Sequence, residues 1–129
     1  MNRDLAYGLL NETKCFEILK QKFDEKLEKT KSTHSIFDFE SDEYLIELKS
    51  RRNTKNKYLD TMVGKNKIDY ALTSSKKVVF AFLFTDGLYY WEYDKDSNAI
   101  EFRQGGRWDR GRSEIKDYAF INTSALIAV

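Results

Sequence analysis

The chain has no proline, a single cysteine (Cys15) and a single histidine (His34) among its 129 residues. One thiol cannot close a disulfide within the chain, which sets the expectation of a reducing, intracellular location. Without proline the loops lose their usual stiffener. No run of about 18 apolar residues occurs, so no transmembrane helix and no membrane partner are expected. The opening Met1-Asn2-Arg3-Asp4 leads into a polar helical pattern with no signal-peptide core. No low-complexity run, internal repeat or interdomain linker is visible. Cys15 falls in a helical pattern without a nearby histidine, and reads as a small buried residue rather than a nucleophile.

What is present is the material of a globular core. Hydrophobic residues make up 41% and aromatics 15%, and the length suits one domain spanning 1–129. The net charge of +1 conceals a polarised distribution. Asp38, Glu40, Asp42, Glu43 and Glu47 follow one another with no intervening base. From Lys49 to Lys77 the chain carries nine bases against Asp60 and Asp69. An acidic centre beside a basic segment suits a metal site next to a polyanion. For Lys55, Lys57, Lys76 and Lys77 the plainer alternative is a solvated loop and helix.

The periodicity predicts an α/β fold, with a central mixed β-sheet flanked by two helices. Leu5, Leu9, Phe16, Leu19, Phe23 and Leu27 step by three and four, predicting a helix over 3–29. Leu59, Met62, Val63, Lys67, Tyr70 and Ala71 predict a second over 58–75, interrupted by Gly64. The apolar run 78–84 reads as a strand buried on both faces. Asp86-Gly87 then joins it to a strand over 88–93 as a hairpin. Core packing is the expected role for most of Tyr89, Tyr90, Trp91 and Tyr93, with base stacking as the other use. Residues 100–103 read as an edge strand, 104–112 as a Gly/Arg loop, and 118–121 as a last short strand.

The chemistry concentrates in residues 35–49. A strand carrying Asp38, a short turn, and a strand carrying Glu47 and Lys49 follow in order. Residues two apart in a strand share a face, so Glu47 and Lys49 project together while Tyr44, Ile46 and Leu48 point into a core. If Asp38 lies beside Glu47, two carboxylates meet one lysine and can hold a divalent cation through oxygen. The bland alternative is a surface ion pair between Glu47 and Lys49. Glu12 is the one polar member of the first helix's apolar stripe. It either reaches the metal site or sits on the flank beside a lysine. Arg51 and Arg52 leave the strand directly after Lys49 with forked groups suited to phosphate. Arg107, Arg110 and Arg112 lie among glycines, placed either to track a nucleic-acid backbone or to contact a second subunit. His34 precedes the Asp38 strand and reads as a strand-end residue.

Asp38 followed by Glu47-Leu48-Lys49 resembles the D…(D/E)xK signature of the PD-(D/E)XK nuclease superfamily, with Phe37 where that name expects proline. The helix–strand–strand–helix order over residues 5–95 is similar too. The resemblance implies a restriction-endonuclease-like core and Mg²⁺ (or Mn²⁺) held by Asp38, Glu47 and the Leu48 carbonyl. It implies Lys49 as the residue that positions water, and Glu12 as a catalytic helical acid of the resolvase-like or exonuclease-like kind. It also implies a basic residue of the second helix near the scissile phosphate, Lys67 rather than Lys65 because Lys67 follows Met62 and Val63 on the inner side, and products ending in 5′-phosphate and 3′-hydroxyl. The expected partner is DNA, cut at branches, nicks or flaps rather than at a sequence, with a homodimer as a further expectation. The rival readings are a catalytically inert nucleic-acid-binding or assembly module on the same fold, and an unrelated α/β binding protein.

Overall fold

The computed structural model describes the backbone of residues 3–30, 37–105 and 116–129. His34, the first part of the expected Asp38 strand, and Arg107, Arg110 and Arg112 lie outside the described residues.

Helix α1 (Arg3–Lys22) ends seven residues before the apolar series predicts. The reason is local. Asp24 Oδ1 accepts from the Lys26 amide at 2.9 Å, and the Leu27 amide donates to the Asp24 carbonyl at 3.1 Å, turning the chain out of the helix. Leu27 still enters the core, now from this turn, ahead of strand β1 (Glu28–Lys29). Lys20 and Lys22 occupy the last helical turn, where cations complement the helix dipole. Cys15 is buried, and burial pushes its thiol pKa up, with Glu12 adding to the shift. It is an inert packing residue.

Strands β2 (Phe39–Glu40), β3 (Tyr44–Ser50), β5 (Lys77–Phe84), β6 (Gly87–Glu92) and β9 (Ile127–Ala128) join β1 in a six-stranded mixed sheet of order β1-β2-β3-β5-β6-β9. The pair β3–β5 is parallel, and the other neighbours are antiparallel. The apolar run of β5 is buried on both faces, as its continuous pattern predicts. Phe84 faces Gly87 across the hairpin, which makes Thr85-Asp86 the turn and Gly87 the first residue of β6.

Alternation along β3 sorts the two faces. Ile46, with Val79 and Ala81 of β5, packs against Leu19, Phe16 and Phe23 of α1. Leu45 faces the opposite way, into a cluster with Phe80, Phe82, Phe84 and Trp91. The aromatic residues of β6 and Tyr93 just after it serve packing: Tyr89 meets Phe84, Tyr90 meets Phe23, and Tyr93 meets Trp91 edge-on.

The segment 58–75 departs from the helix its apolar spacing predicts. Residues 60–64 are instead strand β4 (Asp60–Gly64), and only Lys65–Thr73 form helix α2. Thr61 and Val63 point inward and Met62 outward, a period of two that the helical reading overlooks. β4 pairs antiparallel with β8 (Lys116–Asn122), which pairs with β7 (Ile100–Gly105), making a second, three-stranded sheet. A backbone that lies against β8 gains ladder hydrogen bonds that a helix would forgo, and β-branched Thr61 and Val63 fit that surface. Gly64 caps α2 at the changeover. This sheet and α2 cover the face of the large sheet that α1 leaves open, through Val63, Ile68, Ala119 and Ile121. The architecture is therefore α/β, with the expected central mixed sheet and an additional small sheet. Among the described residues no helix is long and apolar enough to cross a membrane.

Candidate active site

The β2–β3 register pairs Phe39 with Ile46 and Glu40 with Leu45. One step further the pairing turns irregular at Asp38, since Phe37 packs on the opposite face of the sheet from Phe39. There the strand itself gives out. The Asp38 amide still donates to the Ile46 carbonyl at 3.1 Å. Its carboxylate then takes the place of the next backbone acceptor, with Oδ2 receiving the Leu48 amide at 2.8 Å. Thr30 locks the same residue from behind, donating its amide and its hydroxyl to the Asp38 carbonyl at 3.0 and 3.1 Å. The Asp38 side chain is thus held at the sheet edge yet exposed. Nothing in the sequence marks Thr30 for this role, because its contact depends on β1 folding back beside β2.

Glu47 is the reverse case: its residue is 4% exposed. Lys49 Nζ lies 3.2 Å from Oε1 and Lys67 Nζ lies 3.3 Å from Oε2. Oε2 is buried without a hydrogen-bond partner, so Lys67 faces it as an ion pair rather than as an aligned donor. The Lys67 ammonium also sits over the Phe37 ring, 5.6 Å from its centroid. Burial raises the Glu47 carboxyl pKa, and the Asp38 charge raises it further, while Lys49 and Lys67 pull the other way. The Glu47–Lys49 pair is therefore not a surface pair on an edge strand, since β3 has neighbours on both sides and Glu47 is enclosed.

Glu12 of α1 is exposed and lines an open cleft of about 280 Å³ with Asp38, Leu48 and Ser50. The helical acid and the strand aspartate thus share one recess. Among the described residues, however, no three acidic, histidine or cysteine side chains converge closely enough to form a ready metal cage.

The basic residues divide. Lys67 turns into the site. Lys65 pairs with Asp69 one helical turn away at 3.1 Å, on the exposed side of α2. Arg51 is half-buried, donating from Nη2 to the Met62 carbonyl at 2.7 Å and from Nε to Thr61 Oγ1 at 3.4 Å. It ties β3 to β4, and burial lowers its pKa. Arg52 is exposed beside it. Lys67 as a direct partner of Glu47 is what the sequence reading missed. The apolar series already sets Lys67 on the inward side of the helix, but its pairing with Glu47 depends on α2 packing over the face of β3 that carries Glu47, which no local pattern shows.

The oxygen set suits a hard divalent cation: one carboxylate on β3 and one just ahead of β2, the former presenting a buried oxygen with no hydrogen bond. No curated protein and no solved structure matches the chain. The element order α1, β1, β2, β3, β4, α2, β5, with acids on β3 and just ahead of β2, keeps the order of the D…ExK resemblance with the short strands β1 and β4 added. The sequence model of the family described as phage putative PDDEXK endonuclease matches residues 8–126, and the chain belongs to that family within the PD-(D/E)XK nuclease superfamily.

Proposed function

We propose that the chain is a divalent-metal-dependent DNA endonuclease that cuts branched, nicked or flapped DNA. The observation that carries this reading is the Asp38 carboxylate fixed on the Leu48 amide at 2.8 Å, one residue beyond Glu47, with the Lys49 ammonium at 3.2 Å from the Glu47 carboxylate. Asp38, Glu47 and the Leu48 carbonyl would hold Mg²⁺ or Mn²⁺, with waters completing the shell. When bound, the cation supplies charge neutralisation at the phosphate and acidifies water at neutral pH. Lys49 orients the attacking water and offsets charge that builds on the phosphate. Glu47 keeps the Lys49 ammonium in place through their ion pair. Lys67 balances the buried half of the same carboxylate, close enough to the scissile phosphate to share in its binding. Arg52, Lys65 and the Arg107, Arg110 and Arg112 loop would contact flanking phosphates, which adds affinity without base preference. Arg51 would add its charge to that field from its half-buried position. A symmetric dimer would bring two such sites to one branched substrate.

One observation favours a second reading, an inert nucleic-acid-binding module: each oxygen of Glu47 already faces an ammonium. Incubation with supercoiled, linear and branched DNA in Mg²⁺, Mn²⁺ and EDTA separates the two. Cleavage that needs the metal and prefers branched substrate is the expected result. Binding without cleavage in either metal would leave the inert module.

The shared cleft of Glu12 and Asp38 carries its own expectation. Glu12→Gln should lower cleavage at least about tenfold, in the range seen when a residue supporting a metal ligand is lost. Its melting temperature should hardly move, because Glu12 is exposed. Unchanged activity would return Glu12 to the helix surface.

A further inference from the structure

We infer that the open cleft next to the site, bounded by Tyr58, Met62, Phe84 and Phe120, takes one unstacked nucleobase of the bound strand. The inference rests on reading Asp38 and Glu47 as the point where a nucleic-acid strand crosses the sheet.

Position is the first argument. Glu47, Lys49 and Arg51 project from the same face of β3 and its continuation. The β3–β5 register places Lys49 beside Phe82, so Phe84 falls beside Arg51. The cleft of about 260 Å³, lined by Arg51 and Phe84, therefore begins one side-chain step beyond Lys49. That step is about 7 Å along a strand, within reach of the nucleotide adjoining the scissile phosphate.

Chemistry is the second. The cleft is floored by buried Phe84 and walled by Phe120 and Met62 from the small sheet and Tyr58 from the preceding loop. Tyr58 is 57% exposed and Met62 37% exposed, so a flat apolar body entering here would cover surface the protein leaves wet. The surround is cationic. Lys55 lines the same cleft, and the Lys57 ammonium lies 5.6 Å from the centre of the Tyr58 ring. The Arg103 guanidinium stacks on Phe120 at 3.9 Å and is held there by Asp60. An aromatic, apolar slot ringed by cations complements a planar base on an anionic backbone, and stacking on side chains accepts any base. Extruding a paired base costs its pairing and stacking, so the slot favours nucleotides that are already unpaired. That provides a physical basis for preferring branched, nicked or flapped DNA.

The test is a flapped oligonucleotide carrying 2-aminopurine at successive positions around the junction. Its fluorescence is read on binding with Ca²⁺ in place of Mg²⁺ so that no strand is cut. One position should lose emission as its base stacks in the cleft. Tyr58→Ala, at an exposed site, should abolish that change and weaken flap binding by about tenfold, while leaving binding of fully paired duplex unaltered. An abasic nucleotide at the same position should weaken wild-type binding equally, with no further loss in Tyr58→Ala. Met62→Ala should reproduce the effect in part. Binding with no fluorescence change at any position, or a change that survives both variants, would overturn the cleft assignment even if the protein cuts DNA. A change that Tyr58→Ala removes, in a protein that fails to cut in Mg²⁺ or Mn²⁺, would support the cleft and sink the nuclease reading alone.

Discussion

Glu47→Gln and Asp38→Ala should each reduce metal-dependent DNA cleavage by a hundredfold or more, a loss of about 3 kcal/mol in transition-state stabilisation. Each removes a charged oxygen donor, and among the described residues no three acidic, histidine or cysteine side chains converge closely enough to replace it. The two variants should differ in what they leave behind. Asp38→Ala deprives the Leu48 amide of its acceptor at the sheet edge, a site water can reach. Glu47→Gln leaves Lys49 and Lys67 without their shared anion, but both ammonium groups keep some access to solvent. Both proteins should therefore fold, and both should bind Mn²⁺ more weakly in a calorimetric titration. Lys49→Ala is the contrasting case. It should lose cleavage while still binding Mn²⁺, because its ammonium donates to a ligand and is not one. Cleavage that persists in both acid variants would rule out the metal site placed here.

Lys67→Met should destabilise the metal-free protein by about 1–3 kcal/mol at neutral pH, the range for leaving a buried polar group without its partner. The loss should fade on acidification. Burial, with the Asp38 charge, already raises the Glu47 carboxyl above its ordinary value, so the folded protein holds that proton more tightly than the unfolded chain. Stability from this group is then present at low pH and lost as pH rises through the folded value. Removing Lys67 takes away one of the cations that lower the pKa, and so moves that value higher still. Above it, the variant carries an enclosed carboxylate with Lys49 alone. Below it, Glu47 is neutral and has no need of a second cation. Denaturant titrations of EDTA-treated wild type and variant across the acid range should show a gap that closes as pH falls. A gap of constant size would mean that Lys67 contributes only by packing over Phe37.

The reach of the sequence differs between elements for physical reasons. β5 was legible because seven apolar residues in a row have few other uses, and the following hairpin because Asp-Gly next to such a run signals a turn. The site strand was legible through a period of two, which sets Glu47 and Lys49 on one face whatever their neighbours are. The segment 58–64 misled, because Leu59, Met62 and Val63 fit a helical stripe as well as a strand. What decided it was β8, a partner more than fifty residues away that offers a ladder. The small sheet, the inward turn of Arg51 and the slot beside Tyr58 follow from that pairing and had no local signature.

Local pattern and residue chemistry thus determined the α/β class and singled out Asp38, Glu47 and Lys49 as candidates for a divalent-cation site, because strand alternation and oxygen donors are properties of short segments. Tertiary structure alone decided the rest. It buried Glu47 and exposed Asp38, set the Lys67 ammonium against the Glu47 carboxylate, and brought Glu12 into the cleft beside Asp38. Burial, charge pairing and shared clefts are set by what a distant segment packs against, and no window of sequence contains both partners.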